Sequence, residues 1–129
     1  MSNTELFKLI TKTSEEDGRY TRESFLFILS GLEYTLSKLP KRRHLNGQEL
    51  SRGITEYARE QYGYLARIVL NGWGIHSTID YGEIVYLLIN EGIMNKTEED
   101  RLEDFRDVFD FESEFSWEKS KPRSLPKRL

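Results

Sequence analysis

The stretch Phe25-Leu26-Phe27-Ile28-Leu29-Ser30-Gly31-Leu32-Glu33-Tyr34-Thr35-Leu36-Ser37-Lys38-Leu39-Pro40 decides the fold class. Within it Phe25, Leu29, Leu32, Leu36 and Leu39 recur at steps of 4, 3, 4 and 3. That spacing lays them in one stripe along a helix, the face such a helix turns to a core. Thr21 stands where an N-cap belongs, and Pro40 ends the run because a residue preceding proline avoids the α region.

The same helical spacing recurs outward in both directions, whereas strict strand-like alternation is rare. Upstream, Leu6, Phe7, Leu9 and Ile10 supply one face of a helix over 3–13, broken at Asp17-Gly18. Downstream, Asn46 with Glu49 has capping-box spacing, and the helix it opens presents Leu50, Ile54, Tyr57, Ala58 and Gln61 or Tyr62 to the core. Gly53 weakens that helix by about 1 kcal/mol relative to Ala. Gly63 marks a bend, Leu65, Ile68 and Val69 begin a short fourth helix, and Gly72 and Gly74 around Trp73 stop it. Gly74 is expected at positive φ, as a stop where a Cβ adds strain. Ser77 with Asp80 opens a fifth helix carrying Ile84, Val85, Leu88 and Ile89 as far as Gly92. Thr97 with Asp100 opens a sixth, with Leu102, Phe105, Val108 and Phe109 inward. The reading is all-α: one compact domain over 1–116 of five or six short helices, followed by an extended basic tail over 117–129.

Charge divides the chain in the same place. The net charge is −3, yet Lys119, Lys121, Arg123, Lys127 and Arg128 make residues 119–129 a +5 segment without an acid. The tail has Pro122 and Pro126, and Leu125 and Leu129 are its only apolar side chains. It has too little apolar surface to offset its ordering entropy, so it is expected to be disordered by itself. A second basic knot, Lys38, Lys41, Arg42, Arg43 and His44, surrounds Pro40. Against these stands an acidic run over 98–114, in which Asp100, Glu103, Asp104 and Asp107, at i, i+3, i+4 and i+7, share one face of the sixth helix. A solvated face is the plainer reading of that run.

With no Cys, disulfides, thiolate metal sites and a Cys nucleophile are excluded. No apolar run approaches the roughly 20 residues of a membrane helix, and Met1-Ser2-Asn3-Thr4-Glu5 lacks the basic and apolar regions of a secretory signal. A cytoplasmic protein with no membrane contact is the expectation. His44 and His76 are the only imidazoles, and no HExxH, P-loop, GxGxxG or G-x-S-x-G pattern accompanies them. No catalytic set, cofactor or metal site is read.

The fifth helix carries Asp80, Glu83 and Glu91 with no Lys or Arg, so it is repelled by DNA phosphates. Sequence-specific DNA binding is therefore not expected. Trp73 and Tyr81 bracket the Gly74 turn and form a candidate aromatic pocket, with core filling as the plainer alternative.

Beyond these local patterns, the chain resembles a family. Gly47-Gln48-Glu49-Leu50, Tyr57-Ala58, Gln61-Tyr62-Gly63, Leu65-Ala66-Arg67, Trp73-Gly74, Thr78, Asp80, Gly82-Glu83-Ile84-Val85, Gly92, Lys96 and Asp100 carry the resemblance. Asp104-Phe105, Phe109-Asp110-Phe111 and Phe115 close it, and Tyr20 and the Phe25–Leu36 stretch fit upstream. The string is similar to a conserved hypothetical family of planctomycetes and verrucomicrobia, which more often has Tyr at the position of Phe109. It spans roughly residues 20–115. The resemblance implies one compact domain and carries no activity, cofactor or substrate.

The expectation is thus a non-catalytic interaction module, an adaptor or regulatory subunit docking on a larger protein or ribonucleoprotein assembly. The alternative is RNA or ribosome association through Lys41, Arg42, Arg43, His44, Lys119, Lys121, Arg123, Lys127 and Arg128, with a small enzyme third.

Overall fold

The computed structural model describes residues 1–121, and every described element is helical. Helix α1 (Asn3–Asp17) starts at Ser2, whose hydroxyl accepts from the Glu5 N–H at 3.1 Å, and stops at Gly18. Helix α2 (Arg22–Ser37) ends ahead of Pro40 as its sequence requires. Helix α3 (Gly47–Tyr62) carries the full capping box: the Asn46 side chain accepts from the Glu49 N–H at 2.8 Å, and Glu49 accepts from the Asn46 N–H at 3.1 Å. A 3-10 turn (Gly63–Leu65) leads into α4 (Ala66–Gly72), and α5 (Thr78–Asn90) follows. Asp80 anchors the start of α5, its carboxylate accepting from the N–H groups of His76 at 2.8 Å and Ser77 at 3.2 Å. A 3-10 turn at Leu102–Phe105 and the single turns α6 (Phe111–Glu114) and α7 (Trp117–Ser120) complete the described chain.

The core joins Ile10 of α1, Phe25 and Ile28 of α2, Ile54 and Ala58 of α3, Leu70 of α4, and Tyr81, Ile84 and Leu88 of α5. Phe105, Phe111 and Phe115 fold back over it. Helices α2 and α3 meet most closely where Gly53 faces Thr35. A Cβ built on Gly53 falls 1.9 Å from the Thr35 hydroxyl oxygen and 2.7 Å from its Cβ, so no rotation of Thr35 relieves the overlap. Gly53, read from sequence as a weak point, is what lets the helices touch. Gly53→Ala should therefore lower the denaturation midpoint, at a cost of about 1–3 kcal/mol from overpacking, where helix propensity alone forecasts a gain of about 1 kcal/mol.

Four expectations change. In the α2 stripe Phe25 is fully buried, but Leu29, Leu32, Leu36 and Leu39 are only half-buried. The face in full contact runs through Ser24, Phe25, Ile28 and Gly31, and Leu29, Leu32 and Leu36 look into a cavity. Thr21 occupies the cap position without a side-chain capping bond, and its buried hydroxyl oxygen has no partner among the described residues.

The third change is the sixth helix. The Thr97 N–H does donate to Asp100 at 2.8 Å, yet only the 3-10 turn forms, and Asp107 sits at φ 49°. Thr78 of α5 explains the interruption. Its hydroxyl donates to the Phe105 carbonyl at 2.6 Å and accepts from the Val108 N–H at 3.2 Å, taking the groups that a continuing helix would pair internally. Asp100, Glu103, Asp104 and Asp107 thus share no helix face.

Fourth, the segment expected to leave the domain at residue 117 begins folded. Trp117 meets Tyr64 edge-on with ring centroids 5.2 Å apart, Ser120 is buried, and Lys119 pairs with Glu114 at 2.6 Å. The rest of the expected tail lies outside the described residues.

Candidate functional site

The predicted basic knot is exposed, but it is not a field of free charge. Lys38 pairs with Glu56 at 2.7 Å, Arg42 with Glu33 at 2.8 Å, Arg43 with Glu49 at 2.6 Å and His44 with Asp100 at 2.6 Å. Lys41 is exposed and makes no ion pair among the described residues. Lys119 and Lys121 are also paired, with Glu114 and Glu118, while Arg123, Lys127 and Arg128 lie outside the described residues. The acids come from α2, α3 and the 98–118 region, 3 to 56 residues away in sequence. Apart from the i,i+3 pair of Glu118 and Lys121, no local pattern announces them.

Glu49 carries a measurable consequence. The Arg43 guanidinium and the Asn46 N–H hold its carboxyl down at about 2, against about 4.3 for a free glutamate. A depressed acid contributes stability that is complete above the unfolded value and lost as the pH falls through the folded one. The melting temperature should therefore fall between about pH 4.5 and pH 2, with Glu33, Glu56 and Glu103 contributing through their own cationic partners. Glu49→Gln should flatten part of that acid limb in a thermal-melt series. An unchanged limb would mean that the exposed pair is screened to nothing.

Trp73 and Tyr81 do not form one pocket. Tyr81 is fully enclosed; its hydroxyl lies 2.8 Å from the Thr55 hydroxyl, and its ring faces Phe111 at 5.6 Å. Trp73 packs elsewhere, against Phe27 at 5.3 Å and Tyr62 at 6.0 Å. Both fill the core or its edge.

Two features that sequence reading missed are better candidates. The first is an apolar patch at the junction of α3, α4 and α7. Helix α4 buries Ala66 and Leu70 and turns Ile68 outward, 69% exposed, beside the exposed Leu65 of the preceding 3-10 turn. Tyr64 is also exposed, and Trp117, itself 49% exposed, leans on it. Beside this patch a groove is bounded by Glu56, Arg59, Glu60, Lys119 and Lys121. Arg59 clamps the C-terminal side by donating to the Glu114 carbonyl at 3.0 Å, with the Glu114 carboxylate 3.7 Å away.

The second is a cavity of about 280 Å³ between α2, α3, α5 and the 93–105 segment. Leu29, Leu32, Leu36, Val85 and Ile89 give it an apolar body; Tyr86, Lys96, Asp100, Arg101 and Asp104 stand among its polar lining. The Tyr86 hydroxyl oxygen is sealed from solvent and has no hydrogen-bond partner among the described residues. Burial raises its pKa, helped by the Asp100 and Asp104 charges, so the group stays a protonated donor.

Among the described residues no group of His, Asp and Glu side chains is arranged to hold a metal ion, and no helix is long and apolar enough to cross a membrane. Comparisons with protein families, curated proteins and solved structures gave no match.

Proposed function

We propose that this chain is a non-catalytic interaction module that docks on a larger protein assembly through the patch of Tyr64, Leu65, Ile68 and Trp117. The observation that carries the reading is the outward turn of Leu65 and Ile68 beside an exposed Tyr–Trp pair. Burying Ile68 on folding was open to this sequence, and α4 instead spends its inward positions on Ala66 and Leu70. Large apolar side chains gathered on a surface and rimmed by charge are the anatomy of a protein interface, and Trp and Tyr are the residues on which binding energy concentrates.

The partner is a protein with a complementary apolar surface and both signs of charge at its edge, matching Glu56, Arg59, Glu60 and Lys119. Ion pairing of the basic knot favours protein over RNA, because phosphates must compete with Glu33, Glu49 and Glu56 for its cations. Membership of the bacterial family that residues 20–115 resemble belongs to the same proposal and adds no activity to it.

Ile68→Asp tests the reading. The side chain is mostly solvated, so stability should change by no more than about 0.5 kcal/mol. Affinity capture followed by titration of the purified partner should show at least a roughly 30-fold loss, the equivalent of a 2 kcal/mol hot spot. Retention of full affinity by Ile68→Asp and by Trp117→Ala would overturn the proposal. A dimer that Ile68→Asp dissociates would reassign the patch to self-association, and co-purifying nucleic acid, seen as a raised 260/280 nm ratio that falls in high salt, would return the reading to RNA.

A further inference from the structure

We propose that Glu114 is the positioning residue of the docking patch: as a clasp between Arg59 of α3 and Lys119 of α7, it seats α7 so that Trp117 meets Tyr64. The inference rests on the docking reading for its consequence, while its geometry is testable without a partner.

The patch has two parts that are held unequally. Leu65 and Ile68 belong to the 3-10 turn and α4, which are seated by the fully buried Ala66 and Leu70. Trp117 belongs to a single turn of four residues, too short to keep a helical form by its own hydrogen bonds. The last apolar anchor before it is the buried Phe115. Beyond that residue Ser120 is the only buried side chain among the described residues, and its hydroxyl oxygen has no hydrogen-bond partner there. Burying an unpaired hydroxyl opposes seating, and the edge-on contact of Trp117 with Tyr64 leaves both rings about half in water. Packing alone gives α7 little to hold.

Glu114 supplies the missing link. Its carbonyl accepts from the Arg59 guanidinium at 3.0 Å, and its carboxylate lies 3.7 Å from the same guanidinium and 2.6 Å from the Lys119 ammonium. One carboxylate thus joins α3 to α7. An isolated, exposed ion pair contributes little. Here Arg59 and Glu114 are only 24% and 23% exposed, and partly buried charges are screened less. Opening the clasp leaves Leu65 and Ile68 in place and removes the Tyr–Trp pair, the residue types on which binding energy concentrates.

Glu114→Gln keeps the side-chain shape and removes the charge. Two-dimensional NMR of the full chain reads the Trp117 indole N–H, told apart from that of Trp73 by its disappearance in Trp117→Phe. In Glu114→Gln and in Lys119→Gln the Trp117 resonance should move at least halfway to its position in the urea-unfolded chain, while that of Trp73 stays put. Lys119→Arg, which retains the pair, should keep the wild-type position, and Ser120→Ala should leave it unmoved. Titration with the partner purified for the Ile68→Asp test should show a roughly tenfold loss in Glu114→Gln. In a Trp117→Ala background the same change should cost less than about twofold, because Glu114 acts through the indole.

A Trp117 resonance unmoved in both Glu114→Gln and Lys119→Gln overturns the clasp and leaves the docking reading intact. So does release of the indole by Ser120→Ala, which places the seat in packing. A released indole with undiminished partner affinity also overturns the positioning role, whereas the docking reading itself is judged by Ile68→Asp. If the Trp73 resonance is lost too, Glu114→Gln has unfolded the domain, and Lys119→Gln, a change at an exposed side chain, decides alone.

Discussion

Phe105→Ala should cost about 3–5 kcal/mol, among the largest losses that a single side chain of this protein can produce. In a domain of this size that lowers the melting temperature by roughly 10–20 °C. Phe105 is 5% exposed and wedges between two helices at positions that have no side chain. A Cβ on Gly82 of α5 falls 2.7 Å from the Phe105 ring, and one on Gly47 of α3 falls 3.1 Å from it. The ring occupies the space those glycines leave, while the Thr78 hydroxyl holds the Phe105 carbonyl. Removing the ring opens a void beside the existing cavity, which Phe105 also lines, so collapse cannot readily fill it. A double-mutant cycle gives a sharp check. Gly82→Ala alone should destabilise through overlap with the ring, whereas in the Phe105→Ala background the same change should be neutral or stabilising. Additive losses would show that Phe105 and Gly82 do not share that space.

The lock that this cycle probes is invisible to periodicity. Phe105 was legible as an inward residue, and Gly82 as a helix position of low propensity. That one exists for the other depends on a pairing 23 positions apart in sequence. The same holds for Gly53 and Thr35, where composition alone reads a weak helix and the structure has a helix crossing. Signals carried by neighbouring residues fared differently. The Asn46–Glu49 box, the Ser77–Asp80 start and the Gly63 bend all rest on bonds spanning three or four positions, and each appears where its spacing put it. Where a local signal failed, a tertiary partner outbid it. Thr97–Asp100 formed its turn, and Thr78 then took the backbone groups that helix growth required.

The candidate sites follow the same division. A basic knot is readable as composition, but the potential it presents depends on where Glu33, Glu49, Glu56 and Asp100 fall in space. The docking patch left a trace in the sequence: Leu65 and Ile68 lie three apart and Val69 adjoins them, a pattern with two possible inward faces. Ala66 and Leu70, four apart, define the face that α4 uses. Nothing local ranks those two faces, so the exposed one was legible only as an alternative.

Gly74→Val should be as damaging as the loss of Phe105, by a route through backbone geometry. Gly74 has φ +98°, the conformation expected of it from sequence and one that a β-branched residue adopts only under strain. Strain of that kind costs about 1–3 kcal/mol. A second term adds to it, because a Cβ at this position falls 2.2 Å from the Arg19 carbonyl oxygen, a backbone atom that cannot rotate aside. The two loops are also tied to each other: the Thr21 N–H donates to the Trp73 carbonyl at 3.2 Å, and the Tyr20 hydroxyl donates to Asp80 at 2.5 Å. Pushing residues 19 and 74 apart therefore strains both bonds and the seat of α1 on the body. Gly92 provides the internal control, since it has φ +75° but open space around its Cβ position. Gly92→Ala should cost only about 1 kcal/mol for conformation, while Gly74→Ala should cost at least about 2 kcal/mol more because it also meets Arg19. Equal losses at the two positions, read from denaturation midpoints, would mean that the Arg19 loop moves away freely and that the 18–21 and 73–75 loops do not act as one joint.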